Sequence, residues 1–128
     1  MEGNSVLKPK KIGTKKDCYS IIQEIAVARD KVCQKQECSR RAEAGHHLWK
    51  RDRFATAFLP EAILGLCTQH HTGWAHNKPE EFKKFMVARM GEEYYELRRL
   101  SNTVVKNLDY DAIYQGLVCV LGAHKKGT

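Results

Sequence analysis

The sequence predicts an α+β domain, mostly helical, built around one short β-hairpin. Three observations lead there. Apolar residues recur at helical spacing before residue 31 and again after residue 78. The stretch between, residues 33–71, loses that period and concentrates cysteine and histidine instead. The chain has 128 residues, enough for one domain with a modest core and short enough to gain from a staple such as a bound metal.

Residues 1–16 read as a basic arm. Lys8, Lys10, Lys11, Lys15 and Lys16 face a single acid, Glu2, with little apolar content, so disorder is expected there. The arm is either a solvated tail or a segment that orders on a phosphate backbone. One domain is expected over residues 17–128. A first amphipathic helix is predicted over residues 17–30, with Asp17 as N-cap and Ile21, Ile22, Ile25, Ala26 and Val32 as the apolar pattern.

Residues 33–71 are expected to be loops plus a hairpin, with strands at 45–49 and 63–66. Residues 70–76 suggest a short helix. Pro79 suits a first helical position, with Glu80 and Glu81 in a favourable first turn. Phe82, Phe85, Met86 and Met90 make one apolar stripe, and Gly91 can end that helix. Residues 92–100 form a further helical segment with Tyr94, Leu97 and Arg98 on one side. A last helix fits residues 110–121, with Ile113, Leu117, Val118 and Leu121 inward and Gly122 as its stop. The sequence contains no internal repeat and no low-complexity tract.

The charge balance, 22 Lys and Arg against 15 Asp and Glu, leaves a formal +7. Such an excess favours a polyanionic partner, nucleic acid first and an acidic membrane surface second. No apolar run is long enough to span a membrane, and no apolar signal core follows the N-terminus, so a cytoplasmic location is expected. Five cysteines in a reducing compartment argue against a disulfide framework and for metal ligation by three of them.

Cys33 and Cys38 form a C-x4-C knuckle, and Cys67 and His70 a C-x2-H knuckle. Two such knuckles close the four tetrahedral positions of a structural zinc. Cys18 and Cys119 lack partners of this kind and read as small core residues. Of the five other histidines, four lie close to these ligands in the chain: His46, His47, His71 and His76. Adjacent residues on a strand point to opposite faces, so one of His46 and His47 can ligate a metal while the other does something else. A helix starting at His71 could aim that residue back at the strand bearing His46, forming a second, open metal site. The two tryptophans, Trp49 and Trp74, are expected in packing rather than in a nucleic-acid groove.

The segments AGHHLWKR (45–51 with Ala44) and LGLCTQHH (64–71), between the Cys33 pair and WAHNKPEEF, resemble the HNH, or ββα-metal, nuclease family in its zinc-bound phage and bacterial form. The resemblance covers about residues 33–77, with C-terminal helices over about 79–122. It implies a metal-dependent DNA endonuclease acting in recombination, repair or packaging. It further implies structural Zn2+ on Cys33, Cys38, Cys67 and His70. A catalytic divalent ion (Mg2+, Mn2+, Ni2+ or Zn2+) would sit on His46 and His71, with His76 as a third ligand, and His47 would be the general base. An imidazole titrating near neutrality suits proton abstraction, and a divalent ion suits the charge that develops on phosphorus. Lys50, Arg51 and Arg53 would lie along the DNA backbone, positioning it without reading sequence.

The sequence departs from the family pattern twice. The middle Asn falls at or next to Ala62, beside Glu61, and the Arg that often follows the loop Thr is absent, since Ala57 follows Thr56. The alternative is therefore a zinc-braced ββα module that binds DNA or supports assembly without cleaving. A zinc-stabilised protein-interaction domain is a third possibility. Self-association into a homo-oligomer is compatible with the mixed charges of the C-terminal helices.

Overall fold

The computed structural model describes residues 13–126. Most of the expected basic arm, including Lys8, Lys10 and Lys11, lies outside the described residues. The first helix, α1 (Lys15–Asp30), starts two residues earlier than expected. Its N-cap is Thr14, not Asp17. The Thr14 hydroxyl accepts from the Asp17 N–H (3.2 Å), and the Asp17 carboxylate accepts from the Thr14 N–H (3.0 Å). This reciprocal box satisfies two donors at once. Lys15 and Lys16 thus belong to α1 rather than to the arm. Lys31, at φ 62°, ends the helix, so Val32 lies beyond it and is 46% exposed rather than part of the apolar stripe.

The hairpin pairs β1 (Ala44–His47) with β2 (Ile63–Leu66), antiparallel, with Gly45 opposite Gly65 and His46 opposite Leu64. β1 ends at His47, two residues short of the expected strand. Between the strands run a one-turn helix, α2 (Phe54–Ala57), and a 3-10 turn, Pro60–Ala62. Elements this short carry no readable period, which is why the sequence reads as loop there. After β2 come α3 (Thr68–His70) and a wide π-type turn, His71–His76, where one short helix was expected. The chain finishes with α4 (Pro79–Met90), α5 (Glu92–Ser101) and α6 (Tyr110–Lys126). The result is a mostly helical small domain with a two-stranded antiparallel sheet.

α6 departs from expectation in two ways. It runs through Gly122, since an internal glycine weakens a helix by about 1 kcal/mol without ending it. Its inward face is Leu117 with half-buried Ile113, Val120 and Leu121, leaving Val118 and Cys119 exposed. Cys18, by contrast, is fully buried, as expected.

The hairpin separates two apolar clusters because its strands alternate sides. On one side Ile63 joins Cys18, Ile21, Ile22 and Ile25 of α1 and Leu117 of α6. On the other, Leu64 and Leu66 join Trp74, Phe82 and Met86. All four residues of β2 are therefore buried.

Three devices fasten the hairpin to α1. The paired glycines let the helix approach closely: a Cβ at Gly45 would meet Ile63 Cδ1 at 2.7 Å and Ala26 Cβ at 3.0 Å, and one at Gly65 would meet Asp30 Cβ at 3.0 Å. The Gln23 carboxamide donates to the Gly45 carbonyl (2.8 Å) and accepts from the Gly45 N–H (2.6 Å), satisfying the free edge of β1. Arg29 donates to the carbonyls of Pro60 (2.6 Å) and Ile63 (2.7 Å) and is held bidentately by Asp30, whose carboxylate also accepts from the Gly65 N–H (2.7 Å).

A methyl at position 45 has no room, so Gly45→Ala should cost about 1–3 kcal/mol in urea unfolding. Gly73→Ala, where nothing lies within 4 Å of the added Cβ, should cost nothing measurable. Equal stability of the two variants would overturn the close-approach account.

Candidate metal centre and cleft

Cys33, Cys38, Cys67 and His70 come together from the loop after α1 and from the start of α3. One ligand atom of each lies within 4.8 Å of all the others. Their positions follow from backbone contacts. The Cys33 N–H donates to the Arg40 carbonyl (2.7 Å), the Gln34 N–H to the Gly65 carbonyl (3.0 Å), and Cys67 occupies the N-cap of α3. His70 Nδ1 is 3.3 Å from Cys67 Sγ and 3.5 Å from Cys33 Sγ. Four donors around one tetrahedral ion, at the usual metal–sulfur and metal–nitrogen lengths, stand roughly 3.3–3.8 Å apart. The arrangement fits a structural metal site.

The electrostatics fit as well. Burial pushes the Cys33 thiol up to about 11, although N–H groups of Cys67 and Lys35 bond its sulfur. Cys38 is held below the ordinary thiol value, first by a bond from the Arg40 backbone. The sulfur of Cys67 accepts from the His70 N–H (3.5 Å). Burial disfavours the Cys33 thiolate by itself, so a bound metal ion would supply the charge that a buried thiolate needs, with the backbone N–H bonds to Cys33 and Cys38 favouring the same form. The buried Trp74 ring edges His70 (6.4 Å between centroids) and carries Lys35 Nζ over its face at 4.9 Å, which places that tryptophan in packing as expected.

A second cluster joins His46, His71 and His76, again with one nitrogen of each within 4.8 Å of the others. His71 Nε2 and His76 Nε2 are 3.2 Å apart. Five residues along an α-helix leave two side chains about 140° apart, but a π-type turn bonds i to i+5 and brings them onto one side. The wide turn His71–His76 therefore recruits His76 despite its spacing. His46 reaches the pair from β1 and rests against Phe82 (4.7 Å). Burial, then the neighbouring histidines, push His46 down to about 3, so its imidazole is neutral with a lone pair to offer. Burial, then His76, also lowers His71.

His47 faces the other side of the strand, as the alternation requires. Its ring edges Tyr19 of α1 (6.3 Å), and its Nε2 lies 2.9 Å from the Ala57 carbonyl oxygen. A carbonyl only accepts, so Nε2 carries the proton and Nδ1 keeps the lone pair of the neutral ring. Burial lowers His47 below its ordinary value, with the Ala57 bond pulling the other way.

All four of these histidines line one cleft of about 990 Å³. Lys50, Arg51 and Arg53 line it too. Arg51 lies 4.2 Å over the Tyr19 ring, whose hydroxyl donates to the Arg51 carbonyl (2.7 Å), and Arg53 donates to Asn102 (3.0 Å). The sequence did not single out Gln23 from α1, or Ser101 and Asn102 at the end of α5, for this cleft; only contacts distant in sequence bring them there. Arg98, read merely as one side of a helix, also reaches it. Trp49 packs on Tyr94 (5.4 Å between centroids) rather than standing free. Ala62 is buried, Glu61 is exposed, and the Ala62 carbonyl accepts from the Leu48 N–H (3.0 Å).

No helix among the described residues is long and apolar enough to cross a membrane. Comparisons with protein-family profiles, with curated proteins and with solved structures return no match.

The four-ligand cluster ties a loop to α3, so its metal should carry folding free energy. The double change Cys33→Ser with Cys67→Ser should abolish stoichiometric metal in elemental analysis and lower the melting temperature by about 10 °C or more. An unchanged melting curve would remove the structural-metal reading.

Proposed function

We propose that this chain is a metal-dependent DNA endonuclease of the HNH, or ββα-metal, type, phage-like, serving recombination, repair or packaging. The observation that carries the proposal is the pairing of two histidine arrangements in one cleft. Three bring one nitrogen each within 4.8 Å of the others, a spacing that could hold a metal ion, and His47 lines the same cleft with Nε2 tied to the Ala57 carbonyl. The four-ligand cluster is assigned zinc, the usual ion for three thiolates and one imidazole. His46, His71 and His76 would hold the catalytic divalent ion, for which Mg2+, Mn2+, Ni2+ and Zn2+ are candidates.

A divalent ion there would neutralise charge on the scissile phosphate and its leaving oxygen. His47 takes the proton of the attacking water at Nδ1. The Ala57 carbonyl fixes the tautomer and ring plane that this requires. Lys50, Arg51 and Arg53 bind flanking phosphates.

The missing family Asn has backbone substitutes. Orientation of the base falls to the Ala57 carbonyl, and bracing of the hairpin loop to the Ala62 carbonyl through Leu48. Exposed Glu61 takes no part in this scheme. The second reading, a zinc-braced module that binds DNA or supports assembly without cutting, is favoured by Ala62 itself, which offers no side-chain function at that position.

A supercoiled-plasmid nicking assay across the four metals decides between them. Cleavage is expected with at least one metal, falling about 10²–10⁴-fold in His47→Ala, the range for losing a general base. His46→Ala should lose activity together with binding of the second metal equivalent. Equal nicking by wild type and His47→Ala would sink the base assignment. Salt-dependent DNA binding with no nicking under any metal would establish the second reading.

A further inference from the structure

The cleft continues past the histidines. Gln23, Arg51 and His71 also line a second concavity of about 780 Å³, completed by Lys15, Lys16 and Tyr19 from the first turns of α1. Two of its cations are held by aromatic rings. Lys15 Nζ sits 4.8 Å from the Phe54 ring centroid, and the Arg51 guanidinium 4.2 Å from that of Tyr19. A cation on a ring face is positioned without losing its hydrogen-bond donors to an acid. The ion pairs among the described residues are Arg29–Asp30 and Lys78–Glu81, and neither borders this concavity. The nearest acid on α1, Asp17, spends its carboxylate on the Thr14 N–H.

We infer that Lys15, Lys16 and Arg51 form a second backbone-phosphate subsite, so that a duplex DNA strand crossing the histidines continues over the first turn of α1. The identity of the polyanion rests on the nuclease reading; the subsite itself rests on the ring-held cations Lys15 and Arg51, which form no ion pair within 4.0 Å among the described residues, and on the shared wall. Arg51 and His71 border both concavities, which makes the phosphate held at α1 a close neighbour of the one at the histidines. Contacts of this kind set the register of the strand and carry no base information. The capping box that starts the helix at Lys15 is what presents both lysines in a fixed place.

The test is the salt dependence of duplex binding by the full chain, measured by anisotropy of a short fluorescein-labelled DNA duplex with no divalent metal added. Lys15→Gln/Lys16→Gln removes two charges from exposed positions and preserves helix propensity. Lys84→Gln/Lys106→Gln removes two exposed charges outside both concavities. Each phosphate contact contributes about 0.9 to the slope of log K against log salt. The α1 variant should therefore bind with a slope shallower by about 2, and the control variant with the wild-type slope. Parallel slopes for wild type and the α1 variant, or an equal change in the control, would overturn the subsite while leaving the nuclease reading intact. A wild-type chain that binds no duplex, or that prefers an RNA duplex at the same salt, would overturn the DNA reading and the subsite with it.

Discussion

The close contact between α1 and the two-stranded hairpin is the constraint on which the other features depend. Two strands of four residues are marginal by themselves in water. Here they are held by a helix that reaches them only because Gly45 and Gly65 face each other beneath it. The edges of the hairpin are closed by side chains of the same helix: Gln23 on β1, and the Arg29–Asp30 pair on β2 and the turn before it. A clash at either glycine would lift the helix and release both clamps together.

The hairpin, once fixed, distributes residues to different tasks by its alternation. Even-numbered positions of β1 and β2 turn toward the cluster that includes Trp74 and Phe82, and odd-numbered ones toward α1. His46 thereby meets His71 and His76, whereas His47 meets Tyr19 and the Ala57 carbonyl. The four-ligand cluster acts on the same geometry from the far end of β2. Cys67 follows the strand directly and caps α3, so a metal bound there would also set the start of the turn that carries His71 and His76.

Burial and charge divide along the cleft. His46, His47 and His71 are partly buried, and desolvation lowers each of them, His46 to about 3, while His76 is exposed. The cations around them stay exposed and are braced by rings or by amides, Arg51 on Tyr19 and Arg53 on Asn102. Imidazoles lowered by burial, beside cations that form no ion pair among the described residues, suit a ligand that brings its own negative charge.

The sequence by itself determined the long helices, the strand β2, the four-ligand cluster and the histidines to watch. Each of these has a local signature: a period, a helix-starting residue such as Pro79, or a fixed ligand spacing. It misplaced the start of α1 by taking Asp17 as the cap, whereas Thr14 caps the helix and Asp17 returns the bond from inside its first turn. It also ended α6 at Gly122, whereas the helix runs through that glycine to Lys126. The family resemblance named His76 beside His46 and His71, but only the tertiary structure showed how it reaches them, through a π-type turn with no sequence period. The tertiary structure alone supplied the Ala57 carbonyl to His47 as well. A backbone carbonyl is present at every residue and is picked out only by where the chain folds, so no side-chain pattern could have announced it.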